Sequence, residues 1–339
     1  MPELPDIKLY LHALRPRVVG RILKRCRVAS PFVLRSVDPP ISALSGKRVV
    51  NLRRLGKRIV FDCENDLFLI IHLMIAGRLQ WREPGAKIIG KIGLAAFDFE
   101  NGTLLLTEAA SKRRAAIYVV RGEDALRELD PGGLEVLDAT LAQFKETLQS
   151  ERHTLKRALT SPNLFSGIGN AYSDEILLYA KLSPMKFTTS LSDEEIAALY
   201  DASRRVLTEW CARLIDQAGD EFPERLTAFR PEMAAHGKFG KPCPVCCTPI
   251  QRIVYAENEA NYCPTCQTGA KLLADRALSR LMRGDWPRTL EELEELKARE
   301  RAIVSGSTPS TPSPKISSST PARSRSRPSR SNSPRDGRE

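Results

Sequence analysis

Four cysteines set the tightest constraint on this chain. Cys243-Pro-Val-Cys246 is followed, sixteen residues later, by Cys263-Pro-Thr-Cys266. Each short Cys-x-x-Cys turn supplies two thiolates, and the residues between the turns form a hairpin. Together they make the donor set that tetrahedral zinc takes. The same local spacing serves redox dithiols, but two equally spaced pairs outside a thioredoxin-like setting favour the metal. Four thiolates leave no position open for water. The one Zn²⁺ expected on Cys243, Cys246, Cys263 and Cys266 is therefore structural. Cys247 lies beside a ligand but out of spacing and reads as a spare thiol. Cys26, Cys63 and Cys211 are scattered, and unpaired cysteines of this kind suit a reducing cytoplasm.

A zinc hairpin occupies little of a 339-residue chain, so at least one further core is needed. The composition allows it, with 42% hydrophobic and 27% charged residues. No apolar run approaches the ~18 residues of a membrane span. The start, Met-Pro-Glu-Leu-Pro-Asp, carries acid where a secretory signal carries base. A membrane protein, a secreted disulfide scaffold and a wholly disordered chain are excluded. The net charge is +11, and much of it sits at the end. From Ser305 to Glu339 the chain is almost only Ser, Thr, Pro and Arg, with seven basic residues against two acidic ones. Such a segment buries too little apolar surface to offset chain entropy, so a disordered tail is expected over 305–339. It reads either as a loose polyanion-binding arm or as a solubilising extension.

Between these ends the hydrophobic period changes. Ile7, Tyr10, Leu11, Leu14 and Val18 predict a helix after Pro5-Asp6. Strand-like runs follow at Arg48–Leu52, Arg58–Cys63, Leu67–Leu73, Leu94–Phe99, Thr103–Thr107 and Ala116–Val120, separated by Gly, Asn and Asp. Runs at this spacing predict an antiparallel sandwich within residues 1–135. Asp130-Pro-Gly-Gly133 then breaks the pattern, and a linker is expected around 131–150. Helical periodicity marks residues 136–235, notably Asp174–Leu182 and Asp193–Leu214. The cysteine element fills 236–270, and terminal helices are expected within 271–304, at Arg276–Leu281 and Leu290–Ile303.

The second residue carries chemistry of its own. Removal of Met1 would expose Pro2 as a secondary amine with a pKa of roughly 8, partly neutral at physiological pH. Such an amine can attack a sugar C1′ and form an iminium, an electron sink for elimination, and Glu3 beside it can move protons. Proline at this place is common and means little alone. It is joined, in order, by Leu55-Gly56-Lys57-Arg58, by Gly167-Ile-Gly-Asn170-Ala-Tyr-Ser-Asp-Glu175, and by the zinc ribbon ending Cys263-Pro-Thr-Cys266-Gln267. Over residues 1–270 the chain resembles the formamidopyrimidine-DNA glycosylase / endonuclease VIII family of base-excision repair enzymes.

That resemblance implies an α+β protein. An N-terminal catalytic antiparallel β-sandwich with a leading helix would precede a helical helix–two-turn–helix domain with a zinc-ribbon β-hairpin. It implies a bifunctional DNA glycosylase and abasic-site lyase acting as a monomer on double-stranded DNA with damaged, chiefly oxidised, bases or abasic sites. By the family pattern Pro2 is the nucleophile, Glu3 the general acid, and Lys57 a phosphate contact that assists β-elimination. Lys156 and Asn170 flank the Gly-Ile-Gly turn as further DNA contacts. The glycines would let backbone approach a phosphate at an electropositive helix N-terminus. Glu175 reads either as an acid near the lesion pocket or as an ordinary first-turn helix acid. A cytoplasmic protein associated with the nucleoid follows. A non-catalytic zinc-containing binder of damaged DNA is the alternative, although a binder has no use for a free secondary amine.

Four departures fall on lesion reading and gap filling. Asp6 replaces a glutamate. The wedge loop reads His72-Leu-Met74-Ile75-Ala-Gly77, so either Met74 or Ile75 would fill the space of an extruded nucleotide. The partner segment Glu108-Ala-Ala-Ser-Lys112-Arg113-Arg114-Ala115 keeps basic residues but lacks the aromatic plug. Asn258 stands where the hairpin carries an arginine that serves δ-elimination, so that second step is in question; Arg252 is the expected substitute.

Overall fold

The computed structural model describes residues 1–255, 258–274 and 287–304. The helix expected at Arg276–Leu281 and the tail expected over 305–339 lie outside the described residues. The chain divides into compact units Met1–Leu293 and Glu294–Glu339, and every element that builds the site lies in the first.

Helix α1 (Leu4–Val18) starts earlier than the sequence suggested. A reciprocal capping box between Glu3 and Asp6 closes its first turn, and Pro5 sits where no intrahelical N–H is needed. Its apolar stripe, Leu4, Ile7, Tyr10, Leu14 and Val18, is fully buried. Two antiparallel sheets follow. One has the order β1-β3-β4-β5-β9 and the other β2-β7-β8-β6. Their strands are β1 (Ile22–Leu23), β2 (Arg25–Val28), β3 (Lys47–Leu55), β4 (Arg58–Cys63), β5 (Leu67–His72), β6 (Gly77–Arg82), β7 (Gly93–Asp98), β8 (Thr103–Glu108) and β9 (Ala116–Arg121). The unbroken apolar run Leu67–Ile71 reflects cover on both faces. Leu67, Leu69 and Ile71 enter the main core, while Phe68 and Ile70 join Val60 under Leu126 of the short helix α2 (Glu123–Arg127).

The structure departs from the expected element boundaries at several places. Part of the expected linker at 131–150 is helix α3 (Leu141–Gln149), capped by Thr140 and Gln143 and held by buried Phe144 and Leu148. The strands at 22–23, 25–28 and 77–82 also went unread, because polar residues at every second place leave few apolar side chains to mark such short runs. Beyond α3 come α4 (Leu155–Thr160), α5 (Asn170–Tyr179) and the long α6 (Asp193–Ala218), whose capping box is Ser192 and Glu195. α5 therefore begins at Asn170, four residues before the periodicity became legible. The hairpin β10 (Gln251–Tyr255) and β11 (Asn258–Tyr262) leads into α7 (Pro264–Thr268). One buried apolar cluster runs from the sandwich into α3–α6, so the two regions share a core. Among the described residues no helix is long and apolar enough to cross a membrane.

Candidate active site and DNA interface

The first residues of the chain end against the start of α5. The Glu3 carboxylate accepts the backbone N–H groups of Gly169 at 2.6 Å, Ala171 at 2.9 Å and Tyr172 at 3.3 Å. These are donors that a helix N-terminus leaves without intrahelical partners, and its dipole favours the negative charge. The Gly167-Ile-Gly169 turn makes this docking possible. Gly167 takes φ +79° and accepts the Leu4 N–H at 2.9 Å; a Cβ there would lie 2.8 Å from Leu4 Cβ. A Cβ on Gly169 would meet Glu3 Cδ at 2.5 Å. The glycines thus admit a carboxylate of this chain, and the helix N-terminus expected to face a phosphate is occupied by Glu3.

Pro2 is buried beside this clamp, with Met1 still attached. Burial pushes the Met1 ammonium below the usual α-amino range, Arg78 and Lys57 add to the effect, and Glu3 and Asp6 oppose it. Asp6 accepts the Glu3 N–H through Oδ2 at 2.9 Å and pairs through Oδ1 with Arg230 Nη2 at 2.8 Å. Burial raises its carboxyl pKa against the pull of that N–H and of Arg230. Two neighbouring polar atoms have no partner: Arg230 Nε and the Tyr172 hydroxyl. Lys57 stands at the tip of the β3–β4 hairpin, a two-residue turn whose first position, Gly56, takes φ +59°. Burial lowers the Lys57 ammonium pKa, with Glu3 opposing and Lys156 adding to it. Sequence reasoning passed over His72, which pairs with Arg58 across β4–β5. Burial, then Arg58 and Lys57, push its pKa down to about 4, so the imidazole is neutral at pH 7. Its signal was position, since it is the last strand residue before the Met74 turn.

Lys156 is placed differently from the expected phosphate contact. Its side chain is 1% exposed, and the ammonium donates to Asn170 O at 2.7 Å, Ser173 Oγ at 2.9 Å and Asp174 Oδ1 at 2.6 Å. The other Asp174 oxygen meets His236 Nδ1 at 2.8 Å and Asn261 Nδ2 at 3.0 Å. Glu175 accepts the N–H groups of Ala234, Ala235 and His236 at 2.8, 2.8 and 2.9 Å. It anchors the chain that enters the zinc element and is not a first-turn acid of α5. Asn170 opens α5 at a half-buried position.

Met74 takes φ +53° in the turn after β5, with Ile75 exposed beside it. Glu108, buried at the end of β8, accepts the N–H groups of Arg114 and Ala115 and shapes the segment carrying Arg113 and Arg114. Arg113 donates to the carbonyl of Lys91. In the zinc hairpin, Tyr255 pairs with Asn258 and Arg252 with Asn261. Position 258 therefore has the opposite strand parity to Arg252. Arg252 instead lies 3.7 Å from Glu259 and covers the Phe239 ring, so the substitute role expected for it is not supported.

The sulfur atoms of Cys243, Cys246, Cys263 and Cys266 lie within 4.8 Å of one another, with Cys246–Cys263 at 3.3 Å and Cys243–Cys266 at 4.0 Å. Tetrahedral zinc with ligands at about 2.3 Å needs sulfur–sulfur edges of about 3.8 Å, so the donors fit. Cys247 is exposed and outside this set.

Comparison with known proteins bears on all three regions. Residues 1–115 match the profile of the formamidopyrimidine-DNA glycosylase N-terminal domain, 133–216 that of its H2TH domain, and 240–269 that of a zinc finger found in FPG and IleRS. A formamidopyrimidine-DNA glycosylase of Thermus thermophilus is 33% identical over 277 residues, covering 79% of this chain and 98% of the relative. That of Solibacter usitatus is 29% identical over 275 residues, covering 79% and 99%. Among solved structures, the Lactococcus lactis enzyme non-covalently bound to abasic-site DNA superposes with TM-score 0.69 at 25% identity, covering 78% of this chain and 99% of that one. The Thermus thermophilus MutM (FPG) protein gives 0.66 at 30%, covering 78% and 98%.

Proposed function

The chain belongs to the formamidopyrimidine-DNA glycosylase family, and from that premise we propose that Pro2 performs its chemistry. The protein is a base-excision repair DNA glycosylase with abasic-site lyase activity and one structural zinc. Once Met1 is removed, the Pro2 nitrogen attacks C1′ of the damaged nucleotide, the C1′–base bond breaks, and the base leaves with a proton. Ring opening gives an iminium. Loss of a C2′ proton then expels the 3′-phosphate, and water releases the enzyme. Glu3 holds the reacting end at the α5 N-terminus and, in this reading, moves the proton. The buried Lys57 ammonium lies close enough to Glu3 to share its field and serves the departing phosphate. The observation that carries this reading is the three-amide clamp on Glu3, because it fixes the residue next to the nucleophile. Met74 or Ile75 fills the gap of the extruded nucleotide, and Arg113, Arg114 and Asn170 contact the duplex. The protein acts as a monomer at the chromosome, in the cytoplasm.

Borohydride trapping on abasic-site DNA is the test. The protein with Pro2 exposed should form a covalent adduct, Pro2→Gly should form far less, and a tag left uncleaved ahead of Pro2 should abolish it. Undiminished trapping in the tagged protein refutes the assignment. Absence of any adduct from the untagged protein leaves the non-catalytic binder.

A further inference from the structure

We infer that Arg230 is a positioning residue for the nucleophile, acting through Asp6; this rests on the assignment of Pro2 above. Arg230 comes from the irregular segment between α6 and the first cysteine of the zinc cluster, far in sequence from the N-terminus it touches. Its side chain is 13% exposed and that of Asp6 is 6% exposed, so the 2.8 Å pair is largely withdrawn from water. In such surroundings an ion pair fixes geometry in a way that a solvated pair does not. Asp6 spends its second oxygen on the N–H of Glu3, the peptide bonded directly to Pro2. The order of contacts is therefore Arg230 guanidinium, Asp6 carboxylate, Glu3 N–H, Pro2. Glu3 is held from its other side by the amides of α5. With one end gripped by a helix and the other by an ion pair, the Pro2 nitrogen keeps one orientation.

The segment bearing Arg230 is itself held. Glu175 takes three consecutive N–H groups from Ala234 to His236, and Asp174 takes the His236 ring. Arg230 also lines a cleft of about 250 Å³ with Phe229, Pro231, His236, Gly237 and Lys238. Its placement thus joins the entry to the zinc element with the reacting end of the chain.

Single-turnover trapping on a preformed abasic site, with Met1 removed and enzyme saturating, tests this. Arg230→Met should slow adduct formation about tenfold or more while the Kd for abasic-site duplex stays within about twofold of the parent, since misorientation affects the reacting atoms and not binding. Asp6→Asn should give a similar loss. The double variant should be no slower than either single one, because both break the same link. Arg230→Lys retains a charge that can reach Asp6 and should recover part of the rate. Parental rates in Arg230→Met overturn the proposal. So do losses that multiply in the double variant, equal falls in rate and binding, or failure of lysine to rescue. If the untagged parent forms no adduct, the Pro2 assignment fails and this proposal with it. If the parent traps and only the variant pattern is wrong, the positioning role alone fails.

Discussion

Replacing Lys156 by methionine separates two roles that a lysine beside a DNA-binding turn can have. The ammonium makes three hydrogen bonds in a site where the Lys156 and Asp174 side chains are at most 1% exposed. Methionine fills the stem volume but removes the charge. Asp174 would keep His236 and Asn261 yet lose its cation, and the Asn170 carbonyl and Ser173 hydroxyl would lose a donor. Breaking a buried pair from one side costs about 3–5 kcal/mol. Over the unit Met1–Leu293 an unfolding entropy of about 2.1 cal/mol/K per residue makes each kcal/mol worth about 1.6 °C, so Tm should fall by about 5–8 °C. Asp174→Asn in the same chain removes the stranded charge and should recover part of the loss. Thermal unfolding by circular dichroism measures this. Kd for undamaged duplex over a salt series supplies the contrast, because each lost phosphate contact flattens the log–log slope by about 0.9. The slope should be unchanged. A flattened slope with an unaltered Tm would show that Lys156 faces the phosphates and refute the structural reasoning.

Gly169→Ala adds a Cβ 2.5 Å from Glu3 Cδ; displacing Glu3 by about an ångström should slow single-turnover excision by roughly 10²-fold with little change in zinc content, and a parental rate would show that the clamp is dispensable. The His72 pKa is lowered to about 4 in the folded chain, so the unfolded chain takes up the proton first. Stability is present above about pH 6.5 and is lost as pH falls toward 4, by less than about 3 kcal/mol because the ring is only half buried; His72→Gln should flatten that slope in denaturant titrations at pH 7 and 4.5. On abasic DNA, a time-resolved gel should show the 3′ unsaturated aldehyde first and 3′-phosphate accumulating slowly, since asparagine at 258 supplies no fixed cation for the second elimination. Arg252→Ala should leave that order unchanged, given its engagement with Glu259 and Phe239; early dominance of 3′-phosphate would point to another cation.

What the sequence disclosed follows from the range of the interactions involved. Strands Arg58–Cys63 and Thr103–Glu108 were legible because short apolar runs bounded by turn residues mark them. The zinc ligands were legible because both halves of the site are encoded in short turns. The purpose of Gly167 and Gly169 was not. Glycine permits a close approach, but what approaches is set by the fold, here Leu4 and Glu3 from the other end of the chain. Lys156 shows the same limit. A lysine looks alike in sequence whether its ammonium turns to solvent or inward, and its acceptors and their supports come from α5, the Arg230 segment and β11.

The N-terminus of α5 is where these separate stretches meet. A helix start leaves N–H donors unmet and carries a positive end. In a surface helix water or a cap residue would satisfy them; here the carboxylate of Glu3 does. The helix then carries Asp174 and Glu175, whose buried charges demand partners of their own. Lys156, His236 and Asn261 meet the first, and the backbone of Ala234–His236 meets the second. Each partner comes from a different part of the chain: the N-terminus, α4, the segment before the zinc cysteines, and the zinc hairpin. Four apolar contacts at this junction would hold it equally well but would tolerate sliding, whereas charges with fixed acceptors do not. The geometry around Pro2 is therefore set by polar groups that must all be satisfied together. This is why the zinc element belongs to the same mechanical unit as the N-terminal segment to which the chemistry is assigned above.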